Sequence, residues 1–219
     1  MKVSRLLIVS LVVTVLMVAA AFWLSGMVPE GEKLPIHWNA AGVADNWAEP
    51  LTALLVAPAA LLFISLLFAV IPSIEPMQDK LEGSAPVMRV VWIGMIALMV
   101  VVQGMVAAPA FGLEPQPSFI LAAVGVLLVL MGNVLPKSRP GFFVGIRTPW
   151  SITDTDNWIA TNRLGGKMFI GAGALMMAMP FLPLDESWRF GLVMGAVLFA
   201  AFIPMIYSWW FWRQKQRPV

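Results

Sequence analysis

Hydrophobic residues occur along this chain in long, nearly uninterrupted runs, separated by short polar segments and by two longer ones. A helix that crosses a bilayer needs about 20 mostly apolar residues. Six segments meet that requirement: residues 6–28, 51–71, 90–111, 118–135, 168–184 and 190–212. The pattern therefore predicts an all-α integral membrane protein with six transmembrane helices.

Composition and charge support the membrane class. Hydrophobic residues make up 60% of the chain and charged residues 12%, whereas soluble domains average about 45–50% and 25%. The absence of cysteine excludes disulfides, thiol chemistry and cysteine-based metal sites. The interiors of the six runs contain no charged residue, which argues against a charge-coupled pump. Gln103 and Asn133 are the most polar residues there, and we expect both to form hydrogen bonds between helices.

The positive charges predict the orientation of the chain. Six spans place both termini on one side of the membrane. The opposite side holds Lys33 and Arg189, and the terminal side holds the other twelve of the 14 Lys and Arg residues. Cytoplasmic segments carry the excess of Lys and Arg. We therefore expect both termini, including a basic tail at residues 213–219, in the cytoplasm.

Two polar segments are too long to be simple connections: an outer loop at residues 29–50 and an inner loop at residues 136–166. In the inner loop, residues 153–156 offer several helix N-caps, and apolar and polar residues then follow at helical spacing. We expect a short helix here at the membrane interface, with Trp150 and Trp158 at headgroup depth.

The order of these segments suggests a domain organisation. The tripeptide Asp-Asn-Trp occurs in both long loops, at residues 45–47 and 156–158, so the chain is a candidate for two inverted three-helix halves. We expect a helix pair with the outer loop at residues 1–71, a four-helix region at 88–212, and the basic tail. The link at residues 72–87 is interpreted as a plain charged linker.

Proline and glycine mark two further features of the predicted helices. Pro58 and Pro204 lie inside them and should kink a helix or free a backbone carbonyl. Gly191 and Gly195 form a Gly-x-x-x-Gly motif. We expect this motif to pack inside the monomer rather than in a dimer.

The sequence contains no catalytic signature of the kinds defined by His-Glu-x-x-His, Gly-x-Ser-x-Gly or a phosphate-binding P-loop. The chain has one histidine, His37, which precedes Asp45 in the outer loop. Zinc sites usually have more nitrogen or sulfur ligands than this, so we expect neither a metal nor a cofactor. His37 could instead sense external acidity, because its charge changes at about pH 6–7.

The inner loop resembles the signature of the SdpI family of bacterial membrane proteins. The resemblance covers residues 132–169 and is carried by Gly132-Asn133, the run Gly-Ile-Arg-Thr-Pro-Trp at 145–150, Trp158, Thr161, Arg163 and Gly165-Gly166. Two positions depart from the family pattern, since Asn162 stands where a histidine is common and Gly141 where an asparagine is common.

The outer loop is similar to the domain of unknown function that commonly precedes the SdpI region. Its pattern is carried by Pro35, His37, Asn39, Gly42, Asp45 and Trp47. The best-known member of the family protects a cell from a secreted peptide toxin and signals the toxin's presence by capturing a soluble transcriptional repressor. The resemblance therefore implies an immunity or receptor protein of the bacterial cytoplasmic membrane, with lipid, a peptide toxin and a repressor as partners. It implies no catalysis and no direct contact with nucleic acid.

Two sets of residues are candidates for these contacts. For ligand binding in the outer loop we expect His37, Trp38, Asn39, Asp45 and Trp47. For partner binding or signalling at the inner loop we expect Asn133, Gly145, Arg147, Thr148, Pro149, Trp150, Trp158 and Arg163. Arg147 could bond a lipid phosphate, a helix-end carbonyl or a partner's carboxylate. Alternatively, it locks the loop by bonding Asp154 or Asp156.

Two other functions stay open at this stage. A small transporter or flippase for an uncharged or lipidic substrate would require a polar cavity at mid-membrane depth. A membrane enzyme acting on lipid or peptidoglycan precursors would require titratable groups clustered in an interfacial cleft, with Arg147, Asp154 and Asp156 as candidates.

Overall fold

The fold consists of long helices and one small hairpin. A computed structural model describes residues 3–39 and 43–216. Its helices are α1 (Val3–Ser25), α2 (Pro50–Ile74), α3 (Gln78–Val106), α4 (Ser118–Val134), α5 (Pro149–Thr153), α6 (Thr155–Ala178) and α7 (Glu186–Lys215). Short 3-10 turns follow α3, α4 and α6, at Ala108–Phe111, Leu135–Lys137 and Met179–Phe181. Six of these helices, all but α5, are long and apolar enough to cross a membrane, which confirms a multi-pass membrane protein with six candidate spans.

Two helices begin several turns earlier than hydropathy predicted. α3 begins at Gln78 rather than at residue 90, and α6 begins at Thr155 rather than at residue 168. The early turns of these helices carry the exposed cations Arg89, Arg163 and Lys167. The apolar runs themselves contain no charged interior residue, but the whole helices do. Long cationic side chains can lay their apolar stems along a helix and keep their charges in water. A hydropathy window excludes such charged residues, so the predicted run ends before the helix does.

The outer loop folds as a β-hairpin, which the all-α prediction missed. β1 (Leu34–Trp38) pairs antiparallel with β2 (Ala44–Ala48), and the register is irregular on both sides of His37. Strands of five residues give too few alternations to be recognised by periodicity alone. Residues 40–42, including Gly42 of the predicted turn, lie outside the described residues.

The hairpin packs on the ends of three helices. Leu34 is fully buried in a cluster with Leu24 of α1, Leu54 of α2 and Val106 of α3, and Trp38 packs against the same cluster. The burial of these apolar side chains fixes the hairpin to the bundle.

Gln103 links the first three helices inside the bundle, as predicted. Its Nε2 donates to the carbonyl of Met17 in α1 at 2.8 Å and to that of Leu54 in α2 at 3.3 Å. The Leu54 carbonyl is available because Pro58, four residues later in α2, has no N–H to donate to it. The prediction that Pro58 frees a carbonyl is therefore confirmed, and a neighbouring helix uses that carbonyl.

α4 and α6 approach each other closely along two facing glycine pairs, Gly125 with Gly173 and Gly132 with Gly166. A Cβ added at Gly173 would lie 2.4 Å from the carbonyl oxygen of Gly125, and one added at Gly132 would lie 2.5 Å from that of Gly166. The seven-residue spacing in each helix brings both glycines to the same face. Small residues at these positions let the two backbones touch.

Two expectations about the bundle fail, and a third gains no support. Asn133 is exposed on α4, so it does not form the expected hydrogen bond between packed helices. A Cβ added at Gly191 or Gly195 would meet no atom within 4 Å, so this motif does not pack inside the monomer. The two Asp-Asn-Trp copies differ in conformation, because residues 45–47 lie in β2 and residues 156–158 in the first turns of α6. The tripeptide gives no structural support to an inverted repeat.

Candidate functional site

Gly145 sets the path of the inner loop. Its φ of +113° lies in the region where side chains strain the backbone. A Cβ at this position would also come within 2.5 Å of the Trp158 ring and 3.1 Å of the Asn162 Oδ1. Backbone conformation and space therefore both require glycine here.

The side chains beneath Gly145 attach the loop to α6. Asn162 Oδ1 accepts the Ile146 N–H at 2.8 Å, and Asn162 Nδ2 donates to the Trp158 carbonyl at 3.0 Å. Trp158 is fully buried, and its Nε1 donates to the Ser138 carbonyl at 3.1 Å. Trp158 therefore packs inside the protein rather than at its surface, because its ring is buried and its N–H is bonded to Ser138.

A second buried network joins the loop to α7. Thr148 Oγ1 accepts the Ser151 N–H at 3.0 Å and Ser151 Oγ accepts the Thr148 N–H at 2.9 Å, which forms a capping box for α5. Thr148 Oγ1 also lies 2.5 Å from Ser208 Oγ in α7. Asn157 completes the network, since its Oδ1 accepts from Ser208 Oγ at 2.7 Å and its Nδ2 donates to the Ser208 carbonyl at 2.9 Å. A buried and satisfied polar network of this kind favours one arrangement of the loop.

Glu75, directly after α2, binds the inner loop and was missed by sequence reasoning. Its side chain is only 3% exposed. The carboxylate accepts hydrogen bonds from the backbone N–H groups of Met77, Phe142 and Phe143 at 3.0–3.2 Å. Bonds to an ionised acceptor are stronger than those between neutral groups. The segment at 72–87 is therefore not a plain linker, because it holds the inner loop to the end of α2.

Arg147 lies at the surface of the inner loop. Its Nη1 donates to the Phe142 carbonyl and not to Asp154 or Asp156, as one alternative held. Those two carboxylates are bound by Lys215 at the end of α7, at 2.8 and 2.9 Å. Arg147 does hold the loop, but its acceptor is a backbone carbonyl of the loop itself.

Asp154 caps α6, as one of the predicted N-caps. Its Oδ1 accepts the N–H of Asp156 at 2.9 Å and the N–H of Asn157 at 3.4 Å. The hydrogen bond from Lys215 lowers the pKa of the Asp154 carboxyl, and these two backbone N–H groups lower that pKa further. The ionised form of Asp154 therefore ties the start of α6 to the end of α7.

The inner-loop candidates divide into a buried and a surface group. Three residues shape the loop from beneath its surface: Gly145, Thr148 and Trp158. The surface group comprises Asn133, Arg147, Pro149, Trp150 and Arg163. Within this group Trp150 is half-buried and packs against Trp212 of α7, with 6.2 Å between ring centroids. Pro149 is the first residue of α5, a position whose N–H has no partner within the helix, so proline costs no hydrogen bond there.

At the opposite end of the bundle, three of the five outer-loop candidates line one cavity. His37, Trp38 and Asn39 form one wall of a space of about 230 Å³. The other wall is apolar and consists of Val102, Pro117, Ile120 and Leu121. A mostly apolar cavity with a few polar groups at one wall is typical of ligand sites.

The remaining two outer-loop candidates lie outside this lining. Asp45 Oδ1 is 2.5 Å from His37 Nδ1 across the hairpin, so Asp45 orients the imidazole at the cavity wall. Trp47 lies on β2 and is 51% exposed. Among residues 3–39 and 43–216, no group of three or more His, Asp or Glu side chains gathers closely enough to hold a metal ion.

Comparisons with known proteins match two regions of the chain. Residues 137–208 match the SdpI/YfhL protein family, and residues 12–71 match a domain of unknown function, DUF1648. The chain is similar to the immunity protein SdpI of Bacillus subtilis (strain 168), with 23% identity over 175 residues that cover 80% of this chain and 81% of the relative. No solved structure matches the chain. The hairpin lies within the first matched region and most of the inner loop within the second.

Proposed function

We propose that this chain, which belongs to the SdpI/YfhL protein family and carries a DUF1648 region before the SdpI region, is an immunity receptor. In this function it protects a bacterial cell from a secreted peptide toxin and signals the toxin's presence to a cytoplasmic repressor, without catalysis. The observation that carries the proposal is the similarity along 80% of the chain to a protein named for immunity.

The proposed orientation places the inner loop and both termini in the cytoplasm and the hairpin outside. The excess of Lys and Arg at the inner-loop end supports it. We assign the outer recognition module to residues 1–71 and the signalling module to residues 88–212, followed by the basic tail. The function requires no inverted repeat of the two halves. A transport path is less well supported, because the buried amide of Gln103 already donates to two backbone carbonyls.

The hairpin is the proposed toxin-binding surface. His37, Trp38 and Asn39 line a cavity with an apolar opposite wall, which suits an apolar side chain of a peptide. Asp45 holds the His37 ring, and Trp47 offers further exposed area on β2. Aromatic residues with one polar atom are frequent energetic centres of peptide and protein interfaces.

The surface group at the inner loop is the proposed repressor-binding surface. Arg147, Trp150 and Arg163 supply the residue types that dominate interface energies, and Asn133 and Pro149 are exposed at the same end of the bundle. Gly145, Thr148 and Trp158 act indirectly in this proposal, because they hold the loop in shape from below.

The proposal is tested in a Bacillus subtilis strain that lacks its own immunity protein SdpI, challenged with the toxin against which that protein protects. Survival reports recognition and protection, and a reporter under the cognate repressor reports signalling. We expect the intact chain to give both responses. His37→Ala combined with Trp47→Ala should lose both, whereas Arg147→Ala should keep survival and lose the reporter response.

Matched controls separate these effects from lost expression. Val43→Ala alters an exposed hairpin residue outside the candidate set, and Arg89→Gln removes an exposed cation of α3. Both controls should behave like the intact chain at equal membrane levels. If the intact chain neither protects nor signals at normal membrane levels, the proposal is wrong for this member of the family.

A further inference from the structure

A second cavity lies beneath the inner loop, and the proposed function assigns no ligand to it. It encloses about 240 Å³ between α2, α3, α4, α6 and the loop. Every lining side chain is apolar, including Phe68 of α2, Val91 of α3, Met131 of α4 and Phe143 and Ile146 of the loop. An apolar cavity of about 150 Å³ stays dry and takes up benzene. A larger cavity of the same kind is suited to apolar carbon rather than to water.

The loop that covers this cavity is positively charged. Residues 136–147 contain the exposed cations Lys137, Arg139 and Arg147 and no carboxylate of their own. The one carboxylate described in contact with this segment is the buried Glu75, which accepts the Phe142 and Phe143 N–H groups. The Nη1 of Arg147 donates to the carbonyl of Phe142, which directly precedes a residue of the cavity wall. The guanidinium therefore lies beside the segment that encloses the cavity.

We propose that this cavity and Arg147 form a binding site for an anionic phospholipid. One acyl chain occupies the cavity, and the headgroup phosphate binds the guanidinium. An arginine carries five N–H groups, so the bond to Phe142 leaves donors for phosphate oxygens. Basic pockets between transmembrane helices on the cytoplasmic side are suited to anionic headgroups.

A phospholipid fits these observations better than a soluble anion. The cavity is bounded by four helices that are each long and apolar enough to cross a membrane. Phe142 and Phe143, which are 43% and 37% exposed, add apolar surface at the same loop. An acyl chain and a phosphate in one molecule satisfy the apolar cavity and the cation together, whereas a free phosphate uses only the cation.

Lipid binding to the purified full chain tests the proposal. Native mass spectrometry of the detergent-solubilised protein is titrated with phosphatidylglycerol and with phosphatidylcholine of the same acyl chains. We expect the intact chain to prefer phosphatidylglycerol. Arg147→Gln should weaken binding of that lipid about fivefold, which corresponds to one cation near the membrane surface. The control Arg89→Gln, at an exposed residue of α3, should leave the preference unchanged.

The acyl contact is tested by filling the cavity. Val91→Phe places a ring in the cavity and should weaken binding of both lipids. The control Val126→Phe makes the same change at a 43% exposed residue of α4 outside the lining and should not. Val144→Phe, on the loop side of the cavity, provides a second filled variant if Val91→Phe fails to fold.

Three results would overturn the proposal. The first is that the intact chain binds phosphatidylglycerol no more tightly than phosphatidylcholine, as Arg147→Gln would. The second is unchanged lipid binding by a folded, cavity-filled variant. The third is full displacement of phosphatidylglycerol by inorganic phosphate, since this would show that the anion binds without the acyl chain. Because this experiment measures lipid binding to the purified protein, failure of the lipid proposal is distinguishable from failure of immunity or signalling.

Discussion

Replacing Glu75 by glutamine tests how the inner loop is held to the N-terminal helices. The substitution preserves the size of the side chain and removes one of two accepting oxygens. Oε1 accepts the N–H groups of Met77 and Phe142, and Oε2 accepts those of Phe142 and Phe143. Whichever oxygen becomes an amide nitrogen, at least one backbone N–H then faces another donor.

The magnitude follows from these contacts. Leaving a buried donor without an acceptor costs about 1–3 kcal/mol, and hydrogen bonds to a charged group contribute about 1.5–3 kcal/mol each. One lost acceptor, together with the weakening of the remaining bonds, predicts that Glu75→Gln lowers the free energy of unfolding by about 2–4 kcal/mol. This is a large share of the about 5–15 kcal/mol that stabilises a typical fold.

Thermal unfolding of the purified protein in detergent measures the loss, and limited proteolysis below the unfolding temperature reports opening of residues 140–147. Glu82→Gln is the matched control, because it makes the same change at an exposed carboxylate of α3. We expect the control to change stability by less than about 0.5 kcal/mol. Equal stability of the two variants, with equal protease resistance of the loop, would refute this account of Glu75.

The glycine pairs and the ion pair at the end of α7 give two more predictions. Gly173→Ala places a Cβ 2.4 Å from the Gly125 carbonyl and should cost about 1–3 kcal/mol in thermal unfolding, whereas Gly171→Ala meets open space and should gain up to about 1 kcal/mol. Because Lys215 lowers the pKa of Asp154, their pairing stabilises the fold above the ordinary carboxyl pKa of about 3.9, and this stability is lost as the pH falls through the lowered pKa. Lys215→Met should therefore melt below the intact protein at about pH 7, and the difference should shrink as the pH falls below the ordinary carboxyl pKa and through the lowered pKa of Asp154.

The spanning helices could be predicted because a run of about 20 apolar residues has few alternatives to a membrane helix. Their ends could not, since α3 and α6 continue into polar turns that a hydropathy window excludes. The five-residue strands of the hairpin could not be predicted either, because they are too short to show a clear alternation. Local chemistry was informative where one residue caps a helix, as at Asp154.

The contacts that hold the inner loop could not be predicted, because each depends on a partner far away in the chain. Glu75 binds a backbone N–H 67 residues later, and Asn157 binds a serine 51 residues later. The one local hint for Glu75 is an acid set between Pro72 and Pro76, which is equally compatible with an exposed turn. For Asn157, the tripeptide shared with the outer loop drew attention to a repeat rather than to Ser208.

Two helices connect the hairpin with the inner loop. α2 contributes Leu54 to the cluster under the hairpin and is followed directly by Glu75, which binds the loop. α3 contributes Val106 to the same cluster, and near its other end Ser84 Oγ accepts the Arg139 N–H at 2.9 Å. The proposed receptor function requires an element whose arrangement both proposed sites can bias. Either helix could carry a shift of the hairpin to the loop. Glu75→Gln weakens the contact between the end of α2 and the loop, and it leaves the contact between Ser84 of α3 and the loop unchanged. A loss of signalling in that variant at temperatures where its loop still resists protease would therefore assign the coupling to α2.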